Sequence, residues 1–404
     1  MTPYIVKIDR LEVGINSAAR VMGVINLSSE SFYSSSVVTS KEEIPKTVKR
    51  MENDGADMID VGGASTAPES VYGTQKVSVK EELERVKDGL EEVLDSASVP
   101  VSIDTTSSKV AEFALDSGAS LVNDISGFQA DSKMATLVAK RDIPVVLMSL
   151  CETPCNTIQQ SLRALSKSLK LAHGAGIANE RIIVDPGIGF GKPPETDFEL
   201  IRHLKRFTMW GYPVLVGISR KAFIGDLLGQ TDPKDRLTGT IGTTSVAVVR
   251  GASIIRAHDV MEAKQAASVG EKLRNWTRET ERDIDLLGII DERAAEIVIE
   301  QIGTGADIRR ALSRKAVTLS LLLKNIKTPA ALIIKQEILA LGGDAAYHAD
   351  VIDSGVDRTG ILVMGTPPQL ERLIGKLLRM DYFGLPRVGR AIRNLMEKRE
   401  KKLG

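Results

Sequence analysis

Between Arg20 and about Met261, eight short apolar runs alternate with longer amphipathic stretches. The runs are Val21–Leu27, Asp57–Val61, Pro100–Ile103, Ser120–Asn123, Pro144–Ser149, Arg181–Asp185, Pro213–Ile218 and Ser253–Arg256. Stretches such as Ser40–Asp54 and Val79–Ala97 place apolar residues three and four apart, the period of a half-buried helix. Near-continuous apolar strands, each followed by a helix, form a parallel sheet covered on its outer face. Eight such units in about 240 residues fit a (β/α)8 TIM barrel, which typically takes about 250. An open doubly wound sheet is the rival architecture. Residues 4–14 (Tyr4, Val6 and Ile8 against Leu11 and Val13) read as a small hairpin closing the bottom of the barrel.

In such barrels chemistry is built where the strands end. Here the ends are polar: Asn26, Asp60, Asp104, Asn123 with Asp124, Ser149, Asp185, Ser219-Arg220-Lys221, and Arg256 with His258. Carboxylates, amides and cations converging on one rim make that rim the candidate site. Asp185-Pro186-Gly187-Ile188-Gly189-Phe190-Gly191-Lys192 follows a strand directly, and its glycines allow close backbone approach to a ligand. It lacks Walker spacing, and a purely structural turn is the alternative. Ser219-Arg220-Lys221 suits an anion or an electron-rich ring, against the plainer reading of a surface pair. Arg256 and His258 lie two apart on a strand and share a face, as a phosphate clamp requires. His173, His203 and His348 read as surface or helix-packing residues. The serine-rich stretch 27–36 reads as a lid or a bland polar loop.

Beyond about Asp285 the pattern changes. Ile284–Ile290 reads as a strand, Ala306–Asn325 and Pro329–Leu341 as helices, Gly360–Met364 as a strand, and Pro367–Met380 and Pro386–Lys401 as helices. The expected division is a barrel over 1–280 and a smaller α/β domain of unread role over 281–404. With 53 basic and 53 acidic side chains, the chain has no charge excess that calls for nucleic acid or an anionic membrane. No apolar run approaches the roughly 18 residues of a membrane span, and the first residues lack a signal-peptide core. Two cysteines, Cys151 and Cys155, lead us to expect no disulfide framework, no metal site and a reducing, cytoplasmic setting. No Ser/His/Asp order or HExxH motif is present, which argues against hydrolases of those kinds.

Taken together, the segments resemble dihydropteroate synthase, of the pterin-binding barrel superfamily. They are Met22–Asn26 with Ser31-Phe32; Asp60–Gly63 with Ser65-Thr66; Ser102–Thr105; Val122–Gly127; Val146–Met148 with Thr153-Pro154; Asp185–Lys192; Gly217–Lys221; and Arg256–Asp259. The resemblance implies that Asp104, Asn123, Met148, Asp185 and Lys221 hold a pterin ring, with Phe190 and Gly217 lining the pocket. It implies that Asn26, Arg256 and His258 hold a pyrophosphate and its Mg²⁺, with His258 charged. Ser65, Thr66 and Ser219 match the arylamine side. The implied catalytic set is Asn26, Lys221, Arg256 and His258, with Asn26 the metal ligand. The implied reaction joins 6-hydroxymethyl-7,8-dihydropterin pyrophosphate to p-aminobenzoate or a related arylamine and releases pyrophosphate. A homodimer through the outer barrel helices is also implied. Departures fall in the amine-side loops: Ala64 and Ala67 stand where the family has Glu and Arg, and Ser28, Ser29 and Glu30 where it has Thr, Pro and Asp. These loops look like those of archaeal members and leave the arylamine open, and the C-terminal segment looks like an extension on some unusual family members, with no role implied. A methyl-tetrahydropterin-dependent methyltransferase and a non-catalytic pterin-binding protein are the alternatives.

Overall fold

The structure is a computed structural model that describes residues 3–28, 41–64, 77–151, 155–274, 279–281, 284–287, 289, 291–352 and 355–403. The eight apolar runs become eight strands: β3 (Arg20–Asn26), β4 (Met58–Gly62), β5 (Val101–Asp104), β6 (Leu121–Asp124), β7 (Val145–Met148), β8 (Ile182–Asp185), β9 (Leu215–Gly217) and β10 (Ile254–Ala257). They follow a hairpin of β1 (Ile5–Ile8) and β2 (Leu11–Gly14). Neighbouring strands run parallel in the order β8-β7-β6-β5-β4-β3-β10-β9. A parallel bridge between Val184 and Val214 joins the two ends, so the sheet closes as a barrel and the open-sheet rival is excluded.

Helices α1 (Ile44–Asn53), α2 (Val79–Ser96), α3 (Ser108–Ser117), α4 (Ser132–Arg141), α5 (Ile158–Gly174), α6 (Pro194–Arg202), α7 (Ala222–Leu228), α8 (Leu237–Val249) and α9 (Val260–Leu273) follow the strands. Their starts are written locally. Ser78, Asp131 and Thr157 accept backbone N–H bonds at the first turns of α2, α4 and α5, satisfying donors that a helix leaves orphaned. Helix α2 shows the matching stripe, burying Val86, Gly89, Leu90 and Val93.

The hairpin plugs the N-terminal mouth. Val6, Ile8 and Val13 pack with Met22, Met58, Leu121, Val146, Ile183, Leu215 and Ile254, which come from the early positions of every barrel strand but β5. One end of the lumen is thus filled with apolar side chains, leaving the strands' C-terminal ends for polar ones.

The chain divides after Leu287 into two compact units. A short hairpin of β11 (Glu279–Glu281) and β12 (Ile284–Leu286) ends the first. The second carries α10 (Glu292–Gln301), α11 (Ala306–Ser313), β13 (Leu319–Lys327), α12 (Thr328–Ala340), β14 (Asp344–Tyr347), β15 (Arg358–Gly365), α13 (Pro367–Leu377) and α14 (Leu385–Leu403). Its antiparallel sheet runs β13-β15-β14, over a core that includes Ile334, Ile338, Ile361, Val363, Leu373 and Ile392. The expected helix over 306–325 is therefore corrected: it stops at Ser313, and 319–327 form a strand. Leu319, Leu321 and Leu323 pack on the core while Leu322 is exposed, a period of two that only a strand produces.

Ile8 is fully buried in the plug. Ile8→Ala should cost about 2–5 kcal/mol, read as a lower urea midpoint of the barrel transition. An unshifted midpoint would detach the hairpin from the barrel core.

Candidate active site

Every strand from β3 to β10 ends in or leads directly into a polar side chain or glycine, with Ser149 following β7, and register brings these ends level. Asn26 pairs with Gly62, Gly62 with Asp104, and Asp104 with Asn123. A side chain at Gly62 would stand 3.8 Å from both Asn26 Oδ1 and Asp104 Cβ, so glycine keeps the space between them open. Across the barrel Met148 pairs with Asp185, while on the strand next to β3 Arg256 lies between Met22 and Gly217.

The centre is an ion triad. Arg256 donates from Nε to Asp60 Oδ2 at 2.7 Å and from Nη2 to Asp104 Oδ2 at 2.8 Å. Asn123 Nδ2 donates to the same Asp60 oxygen at 3.0 Å. Desolvation opposes the charge on Arg256, but Asp60 and Asp104 outweigh it and hold the guanidinium protonated. Arg256 is thus anchored on carboxylates of the pocket floor. Asp60, which sequence reasoning left without a role, is fully buried and is the hub of this contact. The signal was available: a carboxylate inside the apolar run Met58–Val61 is costly unless paired.

Opposite the triad, Asp185 accepts from Gly187 N–H at 2.7 Å, at the head of the glycine turn. Burial pushes its carboxyl up, against the opposing pull of the Gly187 N–H, Lys221, Lys192 and Arg256. Lys221 donates to the Ile188 carbonyl, and its Nζ lies 4.2 Å from the centre of the Phe190 ring. Desolvation lowers its ammonium to about 8, although Asp185 and Asp197 resist. Lys192 donates to the Gly187 carbonyl. Gly187, Gly189 and Gly191 adopt φ of 69°, 76° and 73°, which L side chains rarely take.

The Ser219-Arg220-Lys221 cluster separates. Lys221 goes to the pocket, whereas Arg220 makes a two-pronged pair with Asp259 at 2.7 and 2.8 Å and donates to the carbonyls of Pro233 and Lys234. The reading of two adjacent cations facing one anion is corrected: Arg220 ties the loop after β9 to the end of β10. Ser219 Oγ lies 3.0 Å from His258 Nδ1. Desolvation, then the charges of Arg256, Arg220 and Lys221, push His258 down to about 3. The expected charged imidazole is therefore neutral in this structure. At that value it is also a poor base, so the Ser219–His258 pair is no nucleophile–base dyad.

Ser65, Thr66, Ala67 and residues 29–36, including Ser31 and Phe32, lie outside the described residues, as do Thr153 and Pro154. Cys151 and Cys155 are joined in a disulfide. The expectation of unbonded cysteines is corrected: their Cα atoms lie 5.7 Å apart, within disulfide reach, and cysteine usage then no longer indicates a reducing compartment.

An acceptor-lined pocket with a cationic rim, at the C-terminal mouth of a (β/α)8 barrel, defines a class of small-molecule site. The profile of the pterin binding enzyme family matches residues 22–258, and the chain belongs to that family. It is 39% identical over 266 residues to a dihydropteroate synthase of Clostridium beijerinckii, covering 65% of this chain and 97% of that protein. It is 37% identical over 257 residues to the dihydropteroate synthase of Bacillus subtilis, covering 63% and 88%. Among solved structures, a Coxiella burnetii dihydropteroate synthase in complex with pteroic acid superposes with a TM-score of 0.60 at 34% identity, covering 68% of this chain and 99% of that one. A Xanthomonas albilineans dihydropteroate synthase with 4-aminobenzoic acid gives 0.61 at 32% identity, covering 68% and 100%.

The depressed His258 has a consequence for stability. Its ordinary value is 6.5 and its folded value about 3, so between these the unfolded chain binds the extra proton and stability falls as pH falls. His258→Gln should lose less stability than the wild type across that window in urea titrations. Parallel losses would place His258 in a solvated setting.

Proposed function

We infer that this chain is a dihydropteroate synthase. In this reading it condenses 6-hydroxymethyl-7,8-dihydropterin pyrophosphate with p-aminobenzoate, or a related arylamine, and releases pyrophosphate in folate biosynthesis. The observation that carries the reading is the pocket itself. Asp104, Asn123 and Asp185 supply acceptors and an amide on its floor, flanked by Arg256 and Lys221, in a chain of the pterin binding enzyme family.

The pterin ring presents a donor edge that buried carboxylates satisfy. Asp104 and Asp185 accept from it, Met148 packs on its face, and Gly217 leaves room beside Lys221 and Arg256, each within 4 Å of where a side chain would stand. Lys221 donates to the ring's carbonyl and nitrogen acceptors. As the CH₂–O bond breaks, negative charge grows on pyrophosphate and positive charge on carbon. Arg256 uses Nε and Nη2 on Asp60 and Asp104, so its fixed fork is already oriented when that charge appears. Incoming phosphate oxygens would raise His258 from its depressed value and let it donate as well. The arylamine nitrogen then attacks carbon and loses a proton, and no enzyme nucleophile takes part.

Mg²⁺ belongs to this proposal as a companion of the pyrophosphate. Among the described residues no group of three His, Cys, Asp or Glu side chains forms a metal cage. Asn26 at the end of β3 offers a single carbonyl oxygen, which suits an ion that keeps phosphate and water as its other ligands. When bound, the ion neutralises leaving-group charge. A homodimer is also proposed. Exposed Leu227 and Val246 line a groove with Gly239 and Gly242 between α6 and α8, a surface a second copy would cover. A cytoplasmic location completes the reading; among the described residues no helix is long and apolar enough to cross a membrane. The departures at Ala64 and Ala67 match the archaeal-like variant we propose, and they bear on the arylamine, not the pterin.

The test is pyrophosphate release from hydroxymethyl-dihydropterin pyrophosphate and Mg²⁺, with and without p-aminobenzoate. Amine-dependent release with dihydropteroate as product is expected. Release with a ribosylated arylamine alone would reassign the acceptor, and silence with both would contradict the reading in favour of methyl transfer or pterin binding. Lys221→Ala should weaken binding of the bare pterin about tenfold or more, measured calorimetrically. Unchanged affinity would remove Lys221 from the pocket.

A further inference from the structure

The peptide joining Ile188 to Gly189 is held from both sides. Its N–H donates to Asp197 Oδ1 at 2.8 Å, and its carbonyl accepts from the Lys221 ammonium. A peptide unit is planar, so these two bonds are mechanically linked. Turning the N–H away from Asp197 swings the carbonyl away from Lys221. Glycine is required at the pivot: Gly189 has φ of 76°, and a Cβ there would fall 2.2 Å from Lys221 Cδ.

Asp197 lies in the first turn of α6 and is 1% exposed. Two cations face it, Lys192 from the glycine turn and Lys221 from the start of α7, and Phe198 beside it packs edge-on against Phe223 of α7 at 5.0 Å. A carboxylate so enclosed is costly, and a backbone N–H could be satisfied by a neutral group at smaller cost. Its placement on the one peptide that holds Lys221 gives it a task.

We propose that Asp197 is a positioning residue which, through the Ile188–Gly189 peptide, aims the Lys221 ammonium into the pocket. The consequence for catalysis rests on the reading of Lys221 as a pterin ligand; the geometric coupling does not. Burial raises the Asp197 carboxyl to about 6, with the Gly189 N–H and the two lysines resisting. Protonation therefore weakens the grip on the peptide as pH falls through that value without abolishing it, as the neutral amide of an asparagine would, and Lys221 loses part of its aim on the acid side.

The test uses the full chain and a readout independent of turnover. Trace acetic anhydride labels lysines according to the freedom and basicity of each amine, and mass spectrometry gives the ratio of Lys221 to exposed Lys87. In Asp197→Ala that ratio should rise about threefold or more at pH 8. In Asp197→Asn, whose amide oxygen still accepts from Gly189, it should fall back toward the wild type. An unchanged ratio in folded Asp197→Ala would overturn the proposal. If that variant fails to fold, the pH profile decides: the wild-type ratio should inflect near 6 and that of Asp197→Asn should not, and a shared inflection would overturn it equally. Affinity for 6-hydroxymethylpterin should drop about tenfold in Asp197→Ala and by less in Asp197→Asn. A changed ratio with unchanged affinity would refute the role in binding. Failure of the wild type to bind the pterin would instead defeat the pterin reading, while the labelling ratio would still decide the role of Asp197.

Discussion

Arg256 reaches into the barrel mouth from the last strand and lays its guanidinium on Asp60 and Asp104, from the second and third strands of the ring. Those carboxylates are 0% and 3% exposed, and two such charges left alone would be strongly destabilising. A hydrophobic trio of similar volume would stabilise the barrel as well or better. The ionic arrangement is explained by what it leaves on offer: carboxylate acceptors with lone pairs for a ligand's N–H groups, and a cation already locked in orientation. Removing Arg256 would therefore disturb the pocket floor as well as the leaving-group role proposed for it, and truncation cannot separate the two.

The second half of the pocket is built differently, from backbone. Three glycines with positive φ turn the chain after β8 so that successive peptides point N–H and C=O groups at fixed partners: Asp185 and Lys192 on Gly187, Asp197 on Gly189, Lys221 on Ile188. Side chains hold the turn, and the turn holds Lys221. The plugged bottom of the barrel supports both halves, because the hairpin's apolar residues fill the lumen below the polar layer.

Most of this was legible in the sequence where physics is local. Strand runs ending in Asn26, Asp104, Asn123, Asp185 and Arg256 announce both the barrel and its rim, because apolar continuity and polar termination are properties of consecutive residues. What was not legible depends on partners far along the chain. Asp60 and Arg256 are 196 residues apart, and nothing local says that they meet. The neutrality of His258 follows from its burial first and then from three cations, and only the fold brings both about. Arg220 looks like a ligand group beside Lys221, yet its positive φ of 55° and its Asp259 partner turn it elsewhere. At 319–327 Leu322 breaks the alternation of Leu319, Leu321 and Leu323, leaving a short apolar run in which period alone does not separate strand from helix.

The central claim is that one pocket, floored by Asp60, Asp104, Asn123 and Asp185, holds a pterin ring beside Arg256 and Lys221. A crystal structure of the protein soaked with 6-hydroxymethylpterin tests it most directly. The account predicts the ring's donor edge within hydrogen-bond distance of Asp104 and Asp185, with Lys221 on its acceptor side and the Arg256 triad intact. A ring bound elsewhere, or a pocket that stays without the pterin at saturating concentration, would contradict it.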